Sequence, residues 1–219
     1  MTRHAILWRH GRTEWNHAQR FQGQLDVPLD DVGREQASRA AAVLAHRQPA
    51  LIVSSDLSRA TATASALAEV SGRPVISDPD LREAHAGRWQ GRTHAEIAQD
   101  DGPALDRWRT ASDVRPGGVG ETRSEVAARV AAAVNRHMAA VPADGCAVFV
   151  THGGAARAAV AQLLGLALLD WQRMAVLRNC AWAVLEVDRF GSWRLESYNA
   201  GLDLPGVAPI PTEVRDGIV

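Results

Sequence analysis

Short apolar runs alternate with helix-forming segments along nearly the whole chain, and this alternation constrains the fold more than any other feature. The first apolar run covers residues 5–8 and ends in an Arg-His-Gly turn, and further runs cover 50–53 and 146–150. Runs of this length that end in turn residues are typical of buried strands. Alternating strands and helices predict a mostly parallel central sheet with helices on both faces, a three-layer α/β/α sandwich.

Capping residues mark where the first two predicted helices begin and end. Asp30 or Asp31 can cap a helix that is predicted to reach about His46. A second helix is predicted over residues 58–70, where Gly72 stops it. A weaker strand follows at 74–77.

The second half of the chain carries two capping boxes, Thr93 with Glu96 and Thr122 with Glu125. The first box predicts a short helix, and the second predicts a long helix to about residue 140. A glycine-rich loop is predicted at 116–120, between the two helices.

The end of the chain predicts a hairpin of two strands, 181–187 and 192–198. The residues from 204 onward include three prolines and are predicted to be irregular. No repeat or long linker interrupts the order of elements. We therefore expect one domain over residues 1–219, with a lid-like insertion around 84–121.

The charged residues argue against several functional classes. All 24 basic residues are arginine, which excludes a Walker phosphate loop and a Schiff-base lysine. The net charge of -1 argues against nucleic acid or an anionic membrane as partner. No apolar run reaches the roughly 20 residues that a membrane span needs, and the N-terminal run is too short for a signal peptide. The expected location is the cytoplasm.

The two cysteines, Cys146 and Cys180, lie in apolar strand-like stretches and are predicted to be buried free thiols. No Cys-x-x-Cys or His-Glu-x-x-His spacing occurs, so no metal site is expected.

Chemically capable side chains follow the predicted strands. Arg9 and His10 follow the first strand, Arg59 comes shortly after the second, Glu83 follows the 74–77 strand, and His152 follows the 146–150 strand. Ligands bind beyond the carboxyl ends of strands in such sheets. Two imidazoles, two guanidinium groups and one carboxylate together favour nucleophilic catalysis on a dianion. Taken singly, each of these residues is more often a solvated or packed side chain.

Several ordered blocks resemble the histidine phosphatase superfamily, in its phosphoglycerate-mutase-like branch. The blocks are LWRHGRTEWN at 7–16, RFQG at 20–23, DVPL at 26–29, SSDLSRA at 54–60, LREAHAGRWQG at 81–91, GET at 120–122 and VTHGG at 150–154. They occur in the family's order and span most of the chain. The resemblance implies a phosphoglycerate-mutase-like fold.

The resemblance also implies a role for each strand-end residue. His10 would be the nucleophile, forming a phosphohistidine, because a neutral imidazole forms a phosphoramidate that water can later cleave. Arg9 and Arg59 would bind the phosphoryl oxygens, and His152 would donate a further hydrogen bond to them. Glu83 would be the general acid and then the general base.

The same blocks imply the rest of the pocket. Asn16, Gln22 and Gly23 would bind substrate at the pocket rim, and Gly153 would let the backbone approach closely. No cofactor or metal is implied, because the arginines supply the positive charge. Two interpretations of His85 stay open: it lines the pocket, or it has a packing role.

A further set of blocks, at 48–57, 89–97, 179–182 and 193–196, is similar to a subgroup of this family that dephosphorylates glucosyl-3-phosphoglycerate. The expected function is hydrolysis of a small phosphomonoester, with this compound as the expected substrate. A symmetric homodimer is expected on general grounds.

Three other functions stay open. The first is a broad-specificity acid-type phosphatase. The second is a 2,3-bisphosphoglycerate-dependent phosphoglycerate mutase; such mutases usually carry a longer insert where residues 109–121 form a short bridge, so hydrolysis is favoured. The third, a non-catalytic binding protein, is disfavoured because the nucleophile, the acid and the phosphate-binding arginines are all present.

Overall fold

The computed structural model of the protein describes residues 2–110 and 113–201. Six strands in these ranges form one sheet in the order β3-β2-β4-β1-β5-β6. The strands are β1 (Arg3–Arg9), β2 (Leu51–Ser54), β3 (Val75–Ser77), β4 (Cys146–Thr151), β5 (Trp182–Val187) and β6 (Trp193–Ala200). The first four are parallel to one another, and the hairpin β5–β6 adds two antiparallel strands at one edge. The predicted mostly parallel sheet is confirmed.

The described residues also form six α-helices. They are α1 (Glu14–His17), α2 (Asp31–Ala45), α3 (Ser58–Ser71), α4 (His94–Arg109), α5 (Arg123–Met138) and α6 (Gly153–Leu163). The predicted caps hold: Asp30 accepts a hydrogen bond from the Gly33 amide, and α3 ends at Gly72 in the left-handed conformation. Thr93 and Thr122 both form capping boxes.

Helix α4 is longer than the short helix that the sequence predicts. Its backbone breaks at Asp101, with φ −143° and ψ 35°, and Pro103 follows in the second part. Proline lacks an amide hydrogen and has a fixed φ that suits the first turn of a helix. The Gly-Pro pair therefore restarts the helix after the break instead of ending it. The glycine-rich loop at 116–120 contains one 3₁₀ turn, Pro116–Gly118.

Two hydrophobic clusters cover the faces of the sheet. Alternate residues of β1 divide between them, with Leu7 in one cluster and Ile6 and Trp8 in the other. Cys146 and Cys180 are buried free thiols, as predicted.

A third, smaller cluster joins Phe21 to side chains of the 84–121 segment, among them Trp89, Ile97 and Trp108. This segment therefore has apolar packing of its own. Its behaviour as a lid stays a prediction. The irregular tail predicted from residue 204 lies outside the described residues.

The register of β1 and β4 positions the site. Arg9 lies opposite Thr151 in this parallel pair, and the His10 amide donates to the Thr151 carbonyl at 3.0 Å. The residues that follow the two strands, His10 and His152, therefore leave the sheet side by side.

Candidate active site

His10 and His152 meet at the carboxyl edge of the sheet. Their ring centroids are 5.0 Å apart and the ring planes are inclined at 62°, so the rings meet edge-on. Both side chains are buried. The structure thus brings together the two imidazoles that lie 142 positions apart in the sequence.

The protonation of His10 follows from one contact. Its Nδ1 lies 2.7 Å from the Gly11 carbonyl oxygen, and only a protonated nitrogen can donate to that oxygen. Burial lowers the pKa of His10 well below its ordinary value, and the charges of Arg59 and Arg9 lower it further. The ring is therefore neutral at pH 7, and its Nε2 carries a free lone pair that can attack phosphorus.

His152 has a protein partner on each ring nitrogen. Its Nδ1 accepts from Arg59 Nε at 3.2 Å, so the proton lies on Nε2, which donates to Ser55 Oγ at 2.9 Å. Burial lowers the pKa of His152 well below its ordinary value, with the Arg59 charge as the next cause. Ser55 is a site residue that the sequence did not single out, although it lies in the SSDLSRA block.

Arg59 is fully buried and fixes the chain around it. Its Nη2 donates to the Gly23 carbonyl at 2.7 Å and its Nη1 donates to the Leu25 carbonyl at 2.8 Å. Gly23 has φ +53°, and a Cβ there would lie 2.2 Å from the Gln90 amide oxygen. Burial lowers the pKa of Arg59 to about 10, so the guanidinium keeps its charge at neutral pH.

Arg9 has an unused donor. Its Nη1 donates to the Leu177 carbonyl at 2.6 Å, whereas its buried Nε has no hydrogen-bond partner among the described residues. Burial lowers the pKa of Arg9 to about 10, a change that the nearby Glu83 partly opposes. A buried, charged N–H without a partner is costly, and an anion at the site would remove that cost.

Gly153 lies directly against Arg9. A Cβ at this position would be 3.2 Å from the Arg9 guanidinium carbon and 2.6 Å from Val176 Cγ1. The absence of a side chain therefore allows the start of α6 to approach the guanidinium. The role of Gly153 in binding substrate stays a prediction.

Glu83 lies at the N-terminus of α6 and is 4% exposed. Its Oε1 accepts from the amides of Ala84 at 2.8 Å and Ala155 at 3.0 Å, and its Oε2 accepts from the Gly154 amide at 3.0 Å. Three backbone donors and the helix terminus orient the carboxylate and compensate its charge.

The predicted rim residues are linked by Thr13. The Thr13 hydroxyl donates to Gln22 Oε1 at 3.0 Å, and the Thr13 amide donates to Asn16 Oδ1 at 3.1 Å. Asn179 adds a contact that the sequence did not predict, since its amide lies 3.1 Å from Asn16 Oδ1 and 3.2 Å from the His10 carbonyl. Asn179 begins the sequence block at 179–182, and that block could have identified it as a site residue.

His85 lies in its own turn. Its backbone amide donates to Glu121 Oε2 at 2.9 Å, and its Nδ1 accepts from the Gly87 amide at 3.4 Å. These contacts favour the packing interpretation over a role in the pocket.

Neither a metal cluster nor a membrane span is found in the described ranges. No group of three or more histidine, cysteine, aspartate or glutamate side chains there could hold a metal ion. No helix in those ranges is long and apolar enough to cross a membrane.

A nucleophilic imidazole beside two guanidinium groups and a carboxylate, on a parallel sheet of this order, is the arrangement of a phosphoryl-transfer enzyme that works through histidine. The family model of the histidine phosphatase superfamily (branch 1) matches residues 5–201, and the chain belongs to this family. The predicted class of enzyme, a histidine-type phosphatase, is confirmed.

Named relatives make the resemblance more specific. The chain is 43% identical over 214 residues to glucosyl-3-phosphoglycerate phosphatase of Mycolicibacterium vanbaalenii, an alignment that covers 90% of this chain and 95% of the relative. A solved structure of the mycobacterial glucosyl-3-phosphoglycerate phosphatase with VO₃ superimposes with a TM-score of 0.86 at 42% identity, covering 91% of this chain and all of the other. A probable phosphoglycerate mutase of Photorhabdus laumondii is 36% identical over 179 residues, 80% of each chain.

Proposed function

We propose that this protein hydrolyses glucosyl-3-phosphoglycerate through a phosphohistidine formed on His10. The observation that carries the proposal is the neutral His10 ring, which has Nδ1 engaged by the Gly11 carbonyl and Nε2 unengaged. The unpartnered Nε of Arg9 lies in the same buried site. A nucleophile beside a guanidinium with an unpaired N–H donor fits a phosphoryl group.

In the first step, His10 Nε2 attacks phosphorus and the bond between phosphorus and the alcohol oxygen breaks. Glu83, protonated when the ester binds, gives its proton to the departing oxygen, since an alkoxide is a poor leaving group. The guanidinium groups of Arg9 and Arg59 bind the phosphoryl oxygens and stabilise the charge that spreads over them.

In the second step, water attacks the phosphohistidine. Glu83, now a carboxylate, takes a proton from this water, and the nitrogen–phosphorus bond breaks to release phosphate. His10 returns to its neutral form, held again by the Gly11 carbonyl. His152 was expected to donate to the phosphoryl oxygens, but its Nε2 donates to Ser55 and its Nδ1 accepts from Arg59. We therefore propose that it positions Arg59 instead.

The substrate rests on the relatives. Proteins that share 43% identity over nine-tenths of this chain carry the name glucosyl-3-phosphoglycerate phosphatase, which supports the same substrate here. We also propose that the enzyme works in the cytoplasm as a symmetric homodimer, which is the commonest assembly of soluble enzymes. Light scattering in solution measures that assembly.

A phosphoglycerate mutase is the second candidate, favoured by the 36% identical relative of that name. A mutase returns the phosphoryl group to the substrate, so it must keep water from the phosphohistidine. The short bridge at 109–121 favours hydrolysis, because it leaves less chain to exclude water.

The test combines trapping with product analysis. Acid-labile phosphoenzyme is expected in wild-type protein and absent from His10→Ala, with His46→Ala as control because His46 is exposed. Phosphate release from glucosyl-3-phosphoglycerate should exceed exchange between phosphoglycerate isomers. Phosphoenzyme in His10→Ala contradicts the mechanism, and dominant isomer exchange favours the mutase. A flat profile over sugar phosphates and nucleotides favours the broad-specificity phosphatase.

A further inference from the structure

A cleft opens beside Glu83, and its lining differs from that of the phosphoryl site. Two of its lining residues contact the carboxylate or follow it in the chain: Gly154 donates its amide to Glu83 Oε2, and Ala84 comes directly after Glu83. In the proposed function, Glu83 protonates the oxygen of the leaving alcohol. The cleft therefore lies next to the carboxylate that would protonate the leaving oxygen.

Two arginines line the cleft without a partner of opposite charge. Arg157 lies on α6 three residues after Gly154, so both face the same side of the helix. Arg123 is the first residue of α5, and its guanidinium lies 4.7 Å from the centre of the Trp108 ring. Among the described residues, neither guanidinium forms an ion pair or a hydrogen bond.

The acidic groups nearby are already engaged. Glu121 also lines the cleft, but both of its carboxylate oxygens accept from Arg129, at 3.0 and 2.8 Å. Asp113, whose negative charge raises the pKa of Arg123, accepts a hydrogen bond from the Ser124 amide at 3.0 Å. The positive charge of the cleft is therefore left largely uncompensated.

The two arginines also disfavour each other. Burial, together with the neighbouring charge of Arg157, lowers the pKa of Arg123 to about 10. Burial lowers the pKa of Arg157 as well. Both stay charged at neutral pH, and an anion between them would relieve this cost.

We propose that Arg123 and Arg157 form a second anion subsite, which binds a carboxylate carried by the leaving alcohol. Guanidinium groups bind the planar carboxylate through paired N–H donors, which gives orientation as well as affinity. Trp108 holds the Arg123 guanidinium in place through the cation–π contact. This proposal rests on the proposed function and deepens it: the enzyme selects phosphomonoesters whose alcohol is acidic. Glycerate phosphates have this property and simple sugar phosphates lack it.

The test uses two substrates that differ in one group. 3-Phosphoglycerate and sn-glycerol 3-phosphate share the three-carbon chain and the phosphate, but the first has a carboxylate where the second has a hydroxymethyl group. Wild-type enzyme should show kcat/KM about 10- to 100-fold higher for the carboxylate, the range of one or two charge-assisted hydrogen bonds. In Arg157→Gln and Arg123→Gln this ratio should fall about tenfold or more, mainly through KM. The control Arg107→Gln, at an exposed arginine of α4, should keep the wild-type ratio.

Binding to a variant that cannot turn over gives an independent readout. The same two compounds are titrated calorimetrically into His10→Ala protein and into the His10→Ala/Arg157→Gln double variant. Tighter binding of 3-phosphoglycerate that the second substitution removes supports the subsite, whether or not wild type hydrolyses either compound. Equal affinities, or equal losses for both compounds in the arginine variants, overturn it. Absence of hydrolysis with a preserved binding preference counts against the proposed hydrolase alone.

Discussion

The imidazole rings of His10 and His152 meet edge-on with centroids 5.0 Å apart. Two protonated rings at this distance, beside two guanidinium groups, would repel strongly. Burial and the arginine charges hold the pKa of each ring well below its ordinary value, and both rings are neutral at pH 7. This neutrality has a measurable effect on stability.

The free energy of unfolding should decrease as the pH falls from 6.5 to 5. The unfolded chain binds protons on both histidines below about 6.5, whereas the folded chain does not, so acid favours unfolding. Each histidine contributes up to about 1.4 kcal/mol per pH unit in this interval and nothing above it. His94, whose pKa burial lowers to about 4, acts in the same direction.

Urea denaturation at pH 7.5, 6.5 and 5.5 measures this slope. His10→Gln should flatten it by about one histidine's share, compared with His46→Gln, a matched substitution at an exposed histidine. Equal slopes in wild type and His10→Gln contradict the assignment of a neutral His10.

Glu83→Gln should slow hydrolysis according to the leaving group. An alkyl phosphate needs a proton on its departing oxygen, so we expect kcat to fall by about 10²- to 10⁴-fold. An aryl ester such as p-nitrophenyl phosphate, which leaves without a proton, should lose much less in the first step. The measurement is steady-state turnover of both ester types, with Glu69→Gln as an exposed control. Full activity of Glu83→Gln on an alkyl phosphate refutes the acid role.

Arg59→Ala should raise KM and lower kcat together, because one contact serves both ground state and transition state. Loss of a donor of this kind costs about 10²- to 10³-fold in rate. The variant also leaves the carbonyls of Gly23 and Leu25 without their donor, so the free energy of unfolding should fall by about 1–3 kcal/mol. Arg39→Ala removes only an exposed pair with Glu35 and should change neither quantity. An increase in KM at unchanged kcat contradicts the transition-state role.

Gly153→Ala tests the close approach to Arg9. Alanine is favoured over glycine within a helix by about 0.5–1 kcal/mol, yet the added Cβ would meet Val176 and the guanidinium. We expect net destabilisation of about 1–3 kcal/mol and a higher KM for phosphate esters. Gly102→Ala, where a Cβ meets nothing within 4 Å, is the matched control. If Gly153→Ala is more stable than wild type and its KM is unchanged, Val176 and Arg9 shift to accommodate the added Cβ at no cost, and the prediction is wrong.

The strand ends could be predicted because local patterns determine them. Buried apolar runs ending at Arg9 and at Thr151 predict parallel strands, and parallel strands bring their following residues together. The hydrogen bond between Ser55 and His152 joins residues 97 positions apart, and no local pattern marks it. Arg123 and Arg157 resemble ordinary surface arginines in the sequence, because the absence of a carboxylate partner appears only in three dimensions. The length of α4 was missed because a Gly-Pro pair usually ends a helix.

The phosphoryl site is built from residues that follow β1, β2, β3 and β4, with Arg59 in the first turn of α3, whereas the cleft beside Glu83 draws its arginines from α5 and α6. Hydrogen bonds at the carboxyl edge of the sheet hold the phosphoryl site in place. The two arginines of the cleft instead project from helices. Selection can therefore exchange the helix-borne arginines without disturbing the reacting centre. An enzyme with this architecture can gain new substrates through a few substitutions in the cleft while its catalytic residues stay unchanged.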